Sequence, residues 1–195
     1  MARTTMATLI TSLRGMALAG SSDYTVNGLS YWTDNQLQDV LDAHRKDVYN
    51  HPLTAQTSYS GGVAVYLEYH SGIINLEATS GGTAIFYITD GVGANVGTAL
   101  YTADYNRGVI TFLADTGGID YELYGRTYDL NAAAADVWRQ KAGQYATAVN
   151  FSTDNHRVDR GEIIKNCLQM AAFYTQQIGA TNVIIMRGDN ADRNY

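Results

Sequence analysis

Hydrophobic residues in the first quarter of the chain recur at the three- and four-residue spacing of amphipathic helices. The first stripe consists of Met6, Leu9, Ile10, Leu13 and Met16, and the second of Leu37, Val40, Leu41, His44 and Val48. Gly20 predicts the end of the first helix. Thr33 and Gln36 have the spacing of a capping box at the start of the second helix, and Pro52 predicts its end.

From about residue 57 to residue 125 the hydrophobic period changes to two, which is the period of a β-strand. The clearest run is "VAVYLEYH" at 63–70, and similar short runs are "GIINLEA" at 72–78, "TAIFYITD" at 83–90, "VITFLAD" at 109–115 and "DYELY" at 120–124. Glycine pairs at 61–62, 81–82 and 117–118 predict turns between the strands. We therefore expect an antiparallel sheet or a small β-sandwich.

Helical patterns return after the β-rich block. Asp129 is a plausible N-cap for a helix that runs to about residue 148, and Asp159 with Glu162 resembles an acidic capping box for a last helix. Gly179 suits the left-handed residue that ends such a helix. The stripe of this last helix consists of Ile163, Cys167, Met170, Ala171, Tyr174 and Ile178.

These patterns predict an α+β fold in which an antiparallel β domain is inserted into a bundle of about four helices. Residues 1–56 and 126–179 would form the helical core, residues 57–125 the inserted β domain, and residues 180–195 a C-terminal tail. The tail contains four consecutive apolar residues, Val183 to Met186. Such a run can add as an edge strand to its own sheet or to the sheet of a partner.

The stretch "YDLNAAAADVWRQKAGQY" at 128–145 carries four consecutive alanines. On a helix, Leu130, Ala134, Val137, Trp138 and Tyr145 form a stripe of mostly large side chains, and Ala132, Ala135, Ala142 and Ala146 form a stripe of small ones. The large stripe should fill the core, and the small stripe would let another helix approach closely. High helix propensity is the alternative explanation for the alanines. We expect the small stripe to form a subunit interface.

Composition changes this picture in one respect, because the chain is poor in charge. Charged residues make up 16% and hydrophobic residues 46% of the chain, against roughly 25% charged residues in an average domain. Either buried interfaces or a large core would account for this low charge. The fifteen tyrosines suit contact surfaces that are partly hydrated. The net charge of −6 argues against a dedicated nucleic-acid-binding protein.

Targeting and redox signals are weak. The single cysteine excludes an intramolecular disulfide. No run approaches the roughly 20 apolar residues of a membrane helix, and Arg14 interrupts the N-terminal segment where a signal peptide would be apolar. We therefore expect a cytoplasmic setting and no membrane contact.

Catalytic motifs are also missing from the sequence, which contains no CxxC, HExxH, GxSxG or phosphate-loop pattern. The four histidines, at 44, 51, 70 and 156, show no metal-ligand spacing. Cys167 lies among apolar neighbours, which is typical of an inert buried thiol. Asp115, Asp120 and Glu122 are acidic residues of the kind common in β-turns. We expect no enzyme activity, cofactor or metal ion.

Four stretches together resemble the head–tail adaptor proteins of tailed bacteriophages, which are also called head-completion or connector proteins. These stretches are "YWTDNQLQDVLDAHRKDVY" at 31–49, "NRGVITFLAD" at 106–115, "YDLNAAAADVWRQKA" at 128–142 and "NFSTDNHRVDRGEIIKNCLQMAAFY" at 150–174. Their order along most of the chain carries the resemblance, and none of them is a catalytic signature.

The resemblance implies a helical core and assembly into a ring, commonly of twelve subunits, beneath the portal vertex of the virion. Such a ring is assembled in the host cytoplasm, prolongs the DNA channel and offers a platform to the next neck or tail protein. It also implies that the C-terminal tail contacts the portal, through Val183, Ile184, Ile185, Met186 and Arg187. An acidic lumen would let DNA pass without specific binding, because like charges repel the phosphates.

Two other functions fit parts of the sequence. The β domain would be a receptor- or carbohydrate-binding module of the virion if Tyr59, Tyr66, Tyr69 and Tyr87 formed one contact surface. The third possibility is an enzyme whose site has no recognisable motif.

Overall fold

The computed structural model describes residues 1–21, 30–79, 85–146 and 161–179, and the backbone alone of 24–26, 29, 152–153, 156–157 and 160. The five residues assigned to portal contact, 183–187, lie outside the described residues. So do the predicted turn at Gly81-Gly82 and the predicted cap at Asp159.

Helices and antiparallel sheets together give the α+β fold that the sequence predicts. The helices are α1 (Ala7–Ala17), α2 (Asp34–Ala43), α3 (Leu130–Ala146) and α4 (Arg160–Gln176). The Thr33–Gln36 capping box is present at the start of α2. The Asp129 carboxylate accepts a hydrogen bond from the N–H of Ala132 and so caps α3. Gly179 follows α4 with a φ of +79°. These three predictions are confirmed.

Most of the strands lie between α2 and α3 in the chain. The first of these begins just after α2, and the last ends just before α3. The strands are β1 (Tyr24–Val26), β2 (Leu29–Tyr31), β3 (Arg45–Pro52), β4 (Thr54–Ser60), β5 (Val63–His70), β6 (Tyr87–Asp90), β7 (Tyr101–Asp104), β8 (Val109–Phe112), β9 (Tyr121–Tyr128), β10 (Ser152–Thr153) and β11 (His156–Arg157). β5 coincides with the predicted run at 63–70. The strands reach beyond the predicted 57–125 range at both ends.

Two sheets form a β-sandwich between the helical segments. One sheet has the strand order β3-β9-β6 and the other β4-β5-β8-β7, and every pairing is antiparallel. β3 and β4 are consecutive in the chain but belong to different sheets. Leu53 lies at the corner between them, where its N–H donates to the carbonyl of Tyr121.

The prediction that the second helix includes Val48 and ends at Pro52 is wrong. α2 ends at Ala43, and the chain from Arg45 onwards pairs with β9. Val48 is the one buried residue of β3, so its helical spacing from His44 was coincidental. The carbonyl of His44 accepts from the N–H of Asp129 and ties the end of α2 to the start of α3.

The run at 72–78 is not a strand, although its composition is β-prone. Among its residues only Leu76 forms an isolated bridge, to Thr127. Asn75 has a φ of +56°, which breaks the extended conformation. The segment packs under the turn at Gly108, where an added Cβ would lie 1.9 Å from the carbonyl oxygen of Ile73. Glycine is therefore required at position 108.

Aromatic rings dominate the core of the sandwich. Phe112 stacks on Tyr121 with ring centres 4.7 Å apart, and Tyr69 packs edge-on against Phe112 at 5.3 Å. Aliphatic side chains from both sheets and from the segments that connect the strands complete this core, among them Leu53, Leu76, Ile88, Ile110 and Leu123. Such ring pairs add to the free energy of burial through their electrostatic geometry.

A separate core joins α1, α2 and α3. Its buried residues are Met6, Leu9, Ile10, Leu13, Ala17, Ala19, Trp32, Leu37, Leu41, Tyr128, Ala133, Ala134 and Val137. The last carbonyls of α1 are held by side chains from the other helices, since Trp138 and Tyr174 both donate to Met16 and Lys141 donates to Leu18. These bonds satisfy carbonyls that a helix C-terminus leaves unpaired.

The alanine face of α3 is covered by α4 of the same chain. Trp138 and Ala142 pack with Cys167 and Ala171, and Asn131 donates to the carbonyl of Gln177. Ala135 lies on this face because it is one helical turn from Asn131 and from Trp138.

The assignment of Ala132, Ala135 and Ala142 to a subunit interface must therefore be corrected. All three are buried within the chain, and only Ala146 of the small stripe is exposed. Small side chains do admit a second helix, as expected, but that helix is the chain's own α4.

A buried carboxylate joins the sandwich to the helices. Glu77 is 0% exposed, and it accepts hydrogen bonds from Thr5 at 2.6 Å, Tyr128 at 2.6 Å and Arg3 at 3.1 Å. Its own N–H donates to the carbonyl of Arg126 in β9. Burial, helped by the hydrogen bond to Glu77, raises the pKa of the Tyr128 hydroxyl.

Arg3 extends this junction to α2. Its two terminal nitrogens donate to both oxygens of Asp42, at 3.0 and 2.6 Å. The hydrogen bond with Asp42, and next the charge of Glu77, raise the pKa of Arg3. The guanidinium therefore stays charged and neutralises the buried carboxylate.

We expect Glu77→Ala to lower the free energy of unfolding by about 3–5 kcal/mol, because it leaves buried donors without their acceptor. Urea unfolding monitored by Trp fluorescence measures the loss. Glu68→Ala is the control, since the Glu68 side chain is half exposed and forms its ion pair with His70 at the surface. Equal unfolding midpoints for the two variants would contradict a structural role for Glu77.

We expect Ala135→Leu to destabilise the isolated chain by about 1–3 kcal/mol, because the larger side chain must be forced between α3 and α4. Ala146→Leu, at an exposed position of the same helix, should change the stability little. Thermal unfolding of both variants makes the comparison. An unchanged melting temperature for Ala135→Leu would mean that α4 does not cover this face in solution.

Candidate assembly surface

Exposed apolar side chains gather at one end of the β-sandwich. We call this group the distal surface; it consists of Tyr59, Val63, Val92, Leu100, Leu113 and Ile119, which are 52% to 89% exposed. Single exposed apolar residues are ordinary, whereas a contiguous group marks a contact site.

Strand pairing explains why these residues share one end. Val109 pairs with His70 and Thr111 with Glu68, so the end of β8 and the beginning of β5 point the same way. The hairpin turn at Gly61-Gly62 and the loops that precede β7 and follow β8 lie there too. The N–H of Leu113 donates to the carbonyl of Leu100 at 3.0 Å and holds two of these loops together.

The loop at 113–120 is fixed to β5 by polar contacts. The Asp115 carboxylate accepts from the N–H groups of Tyr66 and Gly117, and these two bonds lower the pKa of Asp115. The Tyr69 hydroxyl bonds Thr116 at 2.6 Å and donates to the carbonyl of Ile119 at 3.0 Å. The distal surface is therefore presented by an ordered loop.

An open groove of about 490 Å³ lies within the distal surface. Its lining includes Val92, Val96, Leu100, Ile119 and Tyr121, with Asp90 at one side. The Asp90 carboxylate is already engaged, because it accepts from the N–H groups of Val92 and Ala94. A mainly aliphatic lining suits an apolar side chain from another protein.

The distal surface carries acidic charge and no nearby basic side chain from its own strands. Between Lys46 and Arg126 the sequence contains a single lysine or arginine, Arg107, which lies in the β7–β8 turn at the opposite end. Asp90, Asp115 and Asp120 lie in or beside the distal loops. A partner surface would therefore be apolar with neutral or basic edges.

Three further apolar side chains are exposed on α4 and just after it. Leu168 is 50% exposed, Phe173 51% and Ile178 45%. These residues flank the side of α4 that packs on α3. The chain thus exposes apolar groups on its last helix and on its sandwich.

The other site residues suggested by the sequence are dispersed. Tyr69 is buried in the sandwich core, so the four tyrosines of the binding-module hypothesis do not form one surface. Tyr59 and Tyr66 belong to one sheet, whereas Tyr87 stacks on Tyr124 in the other at 4.6 Å. Cys167 is buried as expected, and burial raises the pKa of its thiol.

Ionisable groups pair locally. His44 contacts Asp136 at 2.7 Å and His70 contacts Glu68 at 2.6 Å. Within the described residues, no group of three His, Cys, Asp or Glu side chains could hold a metal ion. No helix in the described part of the chain is long and apolar enough to span a membrane.

One property of the distal surface, its lack of basic charge, could be predicted from the sequence. The near absence of basic residues between Lys46 and Arg126 is visible without a structure. The apolar members themselves stand singly in turns and loops, where no period identifies them. Only strand pairing brings them together.

Three buried tyrosines beneath this end resist ionisation. Burial raises the pKa of Tyr69 and Tyr121, and it raises the pKa of Tyr101 to about 12. The Tyr101 hydroxyl has no hydrogen-bond partner among the described residues. In the unfolded chain a tyrosine loses its proton near pH 10.

We expect the free energy of unfolding to fall as pH rises above about 10, because the unfolded chain then binds fewer protons than the folded one. The contribution of Tyr101 is fully present below pH 10 and is lost towards about 12. Urea unfolding at pH 8 and pH 11 should show a loss that is smaller in Tyr101→Phe by about 1 kcal/mol. Tyr59→Phe, at an exposed site, should leave the loss unchanged; an equal loss in Tyr101→Phe would contradict the assignment.

Comparison of the chain with protein-family models, with curated proteins and with solved structures gives no match.

Proposed function

We propose that the chain is a structural subunit of a ring that joins the portal of a phage capsid to the neck or tail and extends the DNA channel. The observation that carries the proposal is the distal surface, where the exposed side chains of Val92, Leu100 and Ile119 line one groove. Leu113 adjoins this groove through its bond to Leu100, and Tyr59 and Val63 are exposed on the β4–β5 hairpin. Such a surface favours contact with another polypeptide over solvent. The resemblance to head–tail adaptors suggests the kind of assembly.

A closed ring needs two different contact surfaces on each subunit. The distal surface lies on loops and a hairpin of the sandwich, whereas Leu168, Phe173 and Ile178 lie on α4 and after it. Contact between the first group of one subunit and the second group of the next is heterologous, and it closes when the rotation completes a circle. In this proposal these groups replace the alanine face as the subunit interface.

Acidic charge suits a channel that DNA passes through without being bound. The net charge is −6, and residues 47–125 contain one lysine or arginine. Carboxylates that face the lumen repel phosphates and so reduce binding. The proposed ring acts in the virion neck as a structural part, without catalysis, cofactor or metal ion.

The proposed attachment to the portal uses the tail. On the resemblance, Val183, Ile184, Ile185, Met186 and Arg187 contact the portal, and about twelve subunits form the ring. The next neck or tail protein binds the opposite side. This attachment follows from the resemblance alone, because the tail lies outside the described residues.

We expect the full chain, mixed with the portal protein of the same phage, to co-elute with it and to appear as rings in negative-stain images. Ile119→Lys should prevent ring formation while leaving the melting temperature unchanged, because the contact would bury a charge. Gln140→Lys is the matched control, since it adds the same charge at an exposed site of α3.

Two outcomes would count against the proposal. A chain that stays monomeric with the portal present would contradict ring formation. If Ile119→Lys forms normal rings, the distal surface is not part of the subunit interface. Deletion of residues 180–195 should abolish co-elution with the portal, and retained co-elution would contradict the role of the tail.

A further inference from the structure

β4 is an exposed edge strand without the usual protection against pairing. It forms one edge of the four-stranded sheet, and six of its seven residues are exposed. Natural edge strands commonly carry lysine, proline or a bulge that prevents another strand from adding. Thr54–Ser60 contain neither charge nor proline, and the register shift against β5 places the extra residue, Leu67, on β5.

The sequence contains two long stretches without charged residues. Residues 48–67 and residues 166–186 contain no Asp, Glu, Lys or Arg, and every other such stretch is shorter. The first contains β4 and its hairpin turn, and the second contains most of α4 and the beginning of the tail. Copies of a chain with net charge −6 repel one another least where these stretches meet.

The tail contains an uncharged, β-prone segment that could pair with the edge of β4. Val183–Met186 is the only run of more than two consecutive Val, Leu, Ile or Met residues in the sequence. Its β-branched residues favour the extended conformation. A segment of this kind adds to an open sheet edge through backbone hydrogen bonds.

We propose that Val183–Met186 of one copy pairs as an added strand with β4 of the neighbouring copy. This inference rests on the proposed ring, and it gives the tail a partner inside the ring. A strand added to β4 keeps its outer edge and one face free, and the same residues contact the portal through these. Main-chain bonds along Thr57–Ser60 would provide the affinity, and Tyr59 would gain an aliphatic neighbour across the strands. The pairing also removes the open edge.

Reach favours a neighbouring copy over the same copy. α4 ends beside Asn131, near the end of β9. β4, in contrast, follows Leu53, whose N–H donates to the carbonyl of Tyr121 at the start of β9. The eight residues of β9 span about 26 Å. The four peptide steps from Gly179 to Val183 span at most about 14 Å, so Val183 of the same copy cannot reach β4.

Site-directed cross-linking tests the pairing in rings assembled with the portal from two full-length variants. One variant carries Ser58→Cys and the other Ile185→Cys. Under mild oxidation we expect an intermolecular disulfide at about tenfold the yield of a control pair, because paired strands raise the local thiol concentration. The control replaces Ser58→Cys by Thr102→Cys, an exposed position on the opposite edge strand, β7.

The outcomes separate this inference from the proposed function. Rings that form normally but cross-link no better than the control would overturn the pairing and leave the ring intact. A doubly substituted chain that cross-links within itself at high dilution would also overturn it. Complete absence of rings would count against the proposed function instead.

A charged variant separates pairing within the ring from contact with the portal. The added lysine of Ser58→Lys prevents another strand from pairing with the edge of β4. The yield of rings should therefore fall about tenfold, while the chain still co-elutes with the portal through its tail. Unchanged ring yield from Ser58→Lys would overturn the pairing. Ser12→Lys, on α1 away from the edge, is the control for the added charge.

Discussion

The hydrogen-bonded pair of Arg3 and Glu77 determines how the two halves of this molecule sit together. A carboxylate that is 0% exposed would be costly in an apolar interior without donors and a counter-charge. Here the donors come from the N-terminal segment and from β9, and Arg3 also reaches α2. Because Tyr128 ends β9 and Asp129 caps α3, the junction orients the bundle against one end of the sandwich. The opposite end, with its apolar side chains, is left facing away from the helices.

Periodicity predicted the fold where one pattern had one structural explanation. The stripe of α1, the capping box of α2 and the strand at 63–70 are confirmed. The burial of β5 does not alternate strictly, because the register shift at Leu67 interrupts the period of two. Periodicity failed where only a few residues distinguished a helix from a strand. Val48 fits both a helix from His44 and the buried side of a strand, and pairing with β9 made it a strand residue. The alanine face failed for another reason, since small side chains reveal that a helix lies close but not whose helix it is.

The assembly surface was harder to predict than the fold, because its members share no local pattern. Leu100 precedes β7, whereas Leu113 and Ile119 stand at the two ends of the loop between β8 and β9, and they meet only after these strands have paired. Tyr59 and Val63 reach the same end through a different hairpin. Charge was the part that the sequence did reveal. A long segment with one lysine or arginine cannot present a basic surface, whatever its fold.

Charge also constrains how such a chain can meet its own copies. Most surfaces of a protein with an excess of acid place carboxylates against carboxylates when copies approach, and this repulsion opposes association. Apolar burial offsets it only where charges are few. The uncharged hairpin and the uncharged end of α4 satisfy that condition, and they lie on different parts of the fold. When each surface binds the other surface more tightly than it binds a second copy of itself, subunits associate head to tail instead of in two-fold pairs. A ring is the closed form of such contacts, and so the charge pattern and the separation of the two surfaces favour the same assembly.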